Sequence, residues 1–393
     1  MKPIQMAGAG LFSLVLLAAG CGGGGGGIGG TGADAGTLHV SLTDAPACGY
    51  DAVNVTIEKV RVHQSASAAD ADAGWSEIVL APARRVDLLS LTNGVLEDLG
   101  QTSLPAGRYS QLRLVLAGND AGHPLANSVV PTGGTETALD TPSAEQSGLK
   151  LNADIDVPAN KVADLVLDFD ACKSIVRRGN SGQYNLKPVL SVTSVLSDAG
   201  LRVIGYVDPA IATSATGVSL QAAGSVVKAG APDASGRFVL YPVPAGTYDL
   251  VVTAPGHVSA LMSGVPVTEA AYTYVNSAAL PIAPALSAPG ERAVSGTVAP
   301  ASATLRALQA LTGGPTIEVQ WAPVDGTTGA FDFSLPIGAP GRTAYVANPV
   351  ALTFVADPAA AARYTVQASS QGVSKSQDID VTAPVAPLQF SFP

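Results

Sequence analysis

Apolar and polar residues alternate in short runs along much of the chain, with the period of a half-buried β-strand. Near the start, Leu38, Val40 and Leu42 alternate with His39, Ser41 and Thr43. Val53, Val55 and Ile57 repeat the pattern, and Val60 and Val62 continue it in the opposite phase. That slip predicts a β-bulge at Glu58-Lys59. Further alternating runs lie at 112–116, 149–157, 165–169 and 189–195. The small polar stretch from Ser65 to Gly74 reads as a loop, and Val95, Leu96 and Leu99 are spaced for one helical turn. About seven short strands with turn signals between them predict an antiparallel sandwich, here over 37–197.

Two further blocks follow, at 200–284 and 291–393. The second block opens with Val203-Ile-Gly-Tyr-Val207 and contains a hairpin signal, Asp233-Ala-Ser-Gly236-Arg-Phe238. The third opens with Val294-Ser-Gly-Thr-Val298, and Asp325 to Phe331 matches the same hairpin with one extra residue. Leu305, Leu308 and Leu311 recur every three residues, which suits either a helix or a strand over 303–311. Pro281 to Pro289 is a Pro/Ala linker. The whole reads as all-β, a tandem of antiparallel β-sandwiches. Pro-Ala-Gly-x-Tyr occurs twice, ending at Tyr109 and at Tyr248. A tight turn followed by Tyr at a strand start predicts a tyrosine corner, with the hydroxyl bonded back across the turn. The functional alternative makes the two rings ligand platforms.

The N-terminus carries an address. Lys2 is the only charge before an apolar stretch from Ala7 to Ala19, which is too short for a stable bilayer span of about 20 residues. It ends Leu17-Ala-Ala-Gly-Cys21, which resembles the lipobox of bacterial lipoproteins, with Ala18 where Leu is commonest. The resemblance implies a signal peptide over 1–21, lipid-modified Cys21 and membrane attachment through that lipid; the alternative is an ordinary cleaved signal. Gly22–Gly36 follows as a tether, with six consecutive glycines at its start. Gly22, rather than Asp, after the Cys implies the outer membrane of the cell envelope. Cys48 and Cys172 remain, an even number expected to form a disulfide in an oxidising compartment, against the alternative of two free thiols.

Composition narrows the partners. Charged residues are 13% and hydrophobic residues 47% of 393, which argues against a disordered chain. A net charge of −10 lacks the basic surface that nucleic acid requires. Forty-three Gly and 28 Pro supply many breakpoints, as short strands and tight turns need.

Several segments carry a family resemblance. Ser41 to Pro46, Val53–His63, Asp87–Gly94, Leu104–Leu116, Asp168 to Ile175 and Leu186 to Val189 resemble the DUF4382 bacterial lipoprotein domain, whose function is unknown. The second block is similar to the carboxypeptidase regulatory-like domain, a transthyretin-like sandwich grouped with starch-binding-like folds. The third is a divergent relative. The regulatory-like domain is an accessory in its namesake peptidases, so the resemblance implies no peptidase activity.

Candidate chemistry is sparse. His39, His63, His123 and His257 have no zinc-binding spacing, no GxSxG motif accompanies them, and no phosphate-cradling loop or cofactor motif is present. His39 and His63 pair as metal ligands only if their strands are neighbours. Asp164, Asp168 and Asp170 share one strand side, and Asp154 and Asp156 share another; if those strands pair, the crowded face is a candidate calcium site. The alternative is the solvated face of a sheet. Trp75 ends a loop and is the one candidate ligand platform, whereas Trp321 has the parity of core Ile317 and Val319. The expected function is a non-enzymatic envelope lipoprotein acting as a binding or structural module, with an envelope glycan or protein as partner. Carbohydrate binding through the second block, or hydrolysis at an acidic site containing Asp168 and Asp170, are the alternatives.

Overall fold

The alternating runs become strands. The computed structural model describes residues 35–393 apart from 45–48, 143, 145–146, 196–199 and 289. Cys21, most of the glycine tether and Cys48 therefore lie outside the described residues.

The first unit contains β1 (Ala35–Asp44), β2 (Tyr50–His63), β3 (Ser76–Asp87), β4 (Glu97–Pro105), β5 (Gly107–Leu116), β6 (Ser128–Pro131), β7 (Thr137–Asp140), β8 (Leu149–Val157), β9 (Val162–Phe169), β10 (Ile175–Arg177), β11 (Tyr184–Leu186) and β12 (Leu190–Val195). One sheet has the order β12-β9-β1-β4, and the other runs β10-β11-β7-β6-β2-β5-β8 with β3 also on β2. Leu38, Val40 and Leu42 from the first sheet face Val53, Val55, Ile57, Leu112 and Leu114 from the second in one core. The register of β2 shifts between Ile57 and Lys59, so the expected bulge is present. The helical turn is displaced: a single 3-10 turn occupies Leu88–Leu91, capped by the Asp87 carboxylate, while Leu99 enters the core from β4. Three-residue spacing buries both Leu88 and Leu91, which a strand at that corner would not.

The second and third units share one plan. In the second, β13 (Val203–Tyr206), β16 (Arg237–Leu240) and β19 (Thr273–Tyr274) form one sheet. The other runs in the order β15 (Ser225–Gly230), β14 (Gly217–Ala222), β17 (Gly246–Thr253), β18 (Ala260–Val267). The third repeats it with β20 (Glu291–Ala299) between β23 (Ala330–Pro336) and β28 (Leu388–Ser391), and with β22 (Thr316–Ala322), β21 (Thr304–Ala310), β26 (Arg363–Ser370) and β27 (Val373–Asp380) in order. Gly205 pairs with Phe238 and Gly296 with Phe331, and a Cβ on either glycine would collide with its Phe ring. An aromatic covering a strand glycine thus recurs at the same place in both units. The region 303–311 is a strand buried on both faces: Leu305 and Ala307 enter the third core, while Leu308 is buried on the opposite face.

The third unit does not stay within its own boundary. Between β23 and β26 it sends out β24 (Gly341–Ala344) and β25 (Val355–Ala356), and β24 pairs in parallel with β18 of the second unit. The cores also interlock: Val166 of β9 belongs to the second core, and Val251 and Leu261 of the second unit belong to the third. The fold is all-β and antiparallel-rich, with the outer faces of two sheets covered by the next unit.

Candidate functional site

A cavity of about 400 Å³ opens where the three units meet. The first unit contributes Tyr50, Asp170, Cys172 and Lys173; Thr216 and Ser219 come from the second, and Glu318, Gln320 and Trp321 from the third. Asp170 follows β9 and caps α1 (Ala171–Ser174), its Oδ1 accepting from the Lys173 amide at 3.0 Å. The turn aims the Lys173 ammonium back at Asp170 Oδ2, 3.4 Å away, and toward Glu318 Oε1 at 3.8 Å. That ammonium lies 5.1 Å from the centre of the Trp321 ring. On the far side, Arg306 donates to Glu318 Oε2 at 3.2 Å and to the Gly224 carbonyl of the second unit at 2.9 Å. The Gln221 side chain binds the Glu318 backbone reciprocally, amide to carbonyl and carbonyl to amide, each at 2.7 Å.

Beside the cavity, Lys228 of β15 meets Asp168 Oδ2 at 2.9 Å. Lys228 is 5% exposed, and Asp168 Oδ1 is buried with no hydrogen-bond partner among the described residues. Burial pushes the Asp170 carboxyl above its ordinary pKa, against Lys173, which works to lower it; the charge of Asp168 adds to the rise. Burial also pushes the Tyr50 hydroxyl up to about 12. Asp168, Asp170 and Glu318 face Lys228, Lys173 and Arg306, so acids and bases balance across the junction. Such a site favours a polar ligand without net charge over an ion, since no unmatched charge attracts one.

The three aspartates expected on one face meet three different cations. Asp164 accepts from His39 Nδ1 at 2.7 Å, and Asp98 meets His39 Nε2 at 3.0 Å. Asp168 takes Lys228, and Asp170 has left the strand to cap α1. β8 and β9 lie in different sheets, so Asp154 and Asp156 do not join them; Asp154 instead pairs with Arg108 at 2.6 Å. Among the described residues no group of three or more His, Cys, Asp or Glu is placed to hold a metal ion. The second unit covers this face of β9 at Val166 and Asp168, while Val162 and Asp164 at its start stay partly open to solvent. His39 and His63 sit in different sheets, and His63 bonds the Ala73 carbonyl and the Ser65 amide. His123 pairs with Asp120, and His257 contacts the Pro255 carbonyl.

Trp75 is half-buried, and the guanidinium groups of Arg61 and Arg113 lie 4.5 and 4.6 Å from its ring centre. Its indole N–H donates to Ala69, pinning the 65–74 loop, so the ring is a structural clamp rather than an open platform. Trp321 departs from core parity because β22 slips register between its pairs to Ala307 and Leu308, which turns Ala322 inward and Trp321 toward the cavity. Both tyrosine corners form, with Tyr109 bonded to Pro105 at 2.9 Å and Tyr248 to Pro244 at 2.8 Å. Lys173, Lys228, Arg306 and Glu318 went unseen in the sequence, where each is an isolated charge with no spacing that signals a site. Cys172 is not a free thiol. No helix among the described residues is long and apolar enough to cross a membrane.

Residues 35–188 match the family described as a domain of unknown function, DUF4382. No curated protein matches the chain. Among solved structures, the chain is similar to two interface mutants of a type II cohesin–X-dockerin complex from Acetivibrio cellulolyticus. The N-terminal interface mutant is 24% identical, over 21% of this chain and 56% of that one, with a TM-score of 0.19. The C-terminal interface mutant is 27% identical over the same shares, with a TM-score of 0.18. This chain thus spans about half the length of those relatives.

Proposed function

We propose that the protein is a non-enzymatic binding module, anchored to the outer membrane through lipid on Cys21, whose ligand seats in the cleft between the three units. The observation that carries this reading is the cleft itself: residues of all three units line it, and its charges are matched to one another. A carboxylate already held by a cation is poorly placed to act as a general base. This weighs against hydrolysis at Asp168 or Asp170.

The half-buried indole of Trp321, with Ser219, Thr216 and Gln320 around the cavity, favours a neutral saccharide as the ligand class. On this reading the carbohydrate contact lies at the junction and not on an isolated second unit. The experiment is a tryptophan fluorescence titration of the ectodomain with neutral di- and trisaccharides, in a Trp75→Phe background. Saturable change from Trp321, the remaining tryptophan, together with binding by isothermal titration calorimetry that Trp321→Ala abolishes, supports the reading; a flat response across the panel rejects it.

Two further parts of the proposal have independent support. The second unit is a transthyretin-like sandwich of the carboxypeptidase regulatory-like kind, as its sheets of three and four strands, its Asp233 hairpin and its tyrosine corner suggest. Cys48 and Cys172 form the disulfide. The Ala171 amide donates to Asp44 at 2.9 Å, and Gly49 lines the cleft together with Cys172, so the described flanks of Cys48 both approach Cys172. In the chain-entropy model a bridge between residues so far apart in sequence stabilises by about 4–5 kcal/mol. A gain of two hydrogens in mass on reduction tests it, and an unchanged mass rejects it.

A further inference from the structure

The arm that the third unit extends along the second ends in an apolar loop. From Thr343 to Ala356 the chain carries no charged residue, between Arg342 and Asp357. Tyr345, Leu352 and Phe354 pack against the second core and fix the base of the loop. Val346, Val350 and Val355 point outward, and Val350 is 96% exposed. An uncharged segment braced from below with valines on its rim is costly to leave in water, and such patches mark contact surfaces.

The position of the loop selects what it contacts. β24 runs parallel to β18, so the chain leaves Ala344 in the direction of Val267. Val267 pairs with Gly246, and Pro244 and Ala245 share a groove with Ser194 and Ile155 of the first unit. There β12 ends at Val195 opposite Asp164, two residues from Val162, and Thr37 pairs with Val162. The apolar loop and the start of β1 at Ala35 therefore lie toward the same end of the molecule.

Thirteen residues separate Cys21 from Ala35. A glycine-rich chain of that length has a root-mean-square span of roughly 20 Å. We infer that residues 343–356 form a second membrane contact, a loop that rests its valines on the lipid surface to which the N-terminal tether holds the body. This rests on the proposed lipid anchor. Tethering raises the effective concentration of the loop at the surface, so a contact too weak to hold the protein alone suffices to orient it. The cleft, with Asp170 and Thr253 at the opposite strand ends, then faces away from the bilayer.

The test uses the full lipidated chain on vesicles of phosphatidylethanolamine and phosphatidylglycerol. An environment-sensitive dye is placed at Val350→Cys or, as a control, at Val373→Cys on the exposed edge strand β27. Flotation with the vesicles reports the anchor. Brominated lipid is expected to quench the dye at position 350 by at least about twofold and to leave position 373 unchanged. A chain that floats with an unquenched dye at 350 overturns the loop contact alone. A chain that does not float overturns the anchor and this inference with it. A dye at 350 that is already shielded in the Cys21→Ser chain without vesicles points to a second copy or another protein as the occupant, and overturns the lipid contact.

Discussion

Replacing Lys228 with Met removes the cation that meets Asp168 across the first and second units. The side chain is 5% exposed and the partner carboxylate 15%, so water does not compensate for the loss. Breaking a buried pair from one side costs about 3–5 kcal/mol, because the remaining charge stays desolvated. Asp168 lies toward the upper part of that range, since its Oδ1 has no hydrogen-bond donor among the described residues. Removing both charges, as Asp168→Leu with Lys228→Met, leaves two apolar side chains of similar bulk. The double variant is expected to recover all but about 1–2 kcal/mol of the wild-type stability. Urea denaturation followed by circular dichroism measures both, with each transition fitted separately because a chain of several units need not unfold in one step. The exposed Lys161→Met serves as control, with an expected effect within about 0.5 kcal/mol. A Lys228→Met loss no larger than that control, or a double variant no better than the single, refutes a buried and coupled pair.

Other outcomes follow from single sites. Partial burial works to lower the His39 pKa, but Asp164 and Asp98 outweigh it and hold the imidazole above its ordinary value. The stabilisation this gives is complete below about pH 6.5 and is lost as pH rises through the folded-state pKa; thermal melts should show that decline, and His39→Gln should flatten it. Tyr248→Phe removes the bond to Pro244 and is expected to cost about 1 kcal/mol in urea denaturation, with Tyr109→Phe similar. Gly329 has φ +70° and would place a Cβ against the Val298 carbonyl, so Gly329→Ala is expected to lose more than about 2 kcal/mol, whereas Gly313→Ala, with open space around it, loses less.

Local features were legible because local physics sets them. The bulge at Glu58-Lys59 follows from a change of phase within one strand. The tyrosine corners follow from a five-residue motif, and the hairpins at Asp233 and Asp325 from an aspartate that accepts the turn amides. What stayed hidden depends on pairing over long distances. The sequence shows that Asp168 opposes Leu165 and Leu167, but not that Lys228, sixty residues on, will cover it. Strand adjacency in sequence suggested that β8 and β9 pair, and the sandwich instead places them in opposite sheets. Trp321 looked like core until the register slip in β22 turned it outward. The arm carrying β24 and β25 reads as ordinary turn-rich sequence, and only its partner strand β18 reveals that it belongs to two units.

The central claim is that one ligand engages all three units at their junction. Hydrogen exchange of the ectodomain, with and without a saturating saccharide from the titration panel, tests it most directly. The account predicts added protection together at 171–173, 216–219 and 318–321, and none at the 65–74 loop around Trp75. Protection confined to one unit, or centred on Trp75, would contradict it.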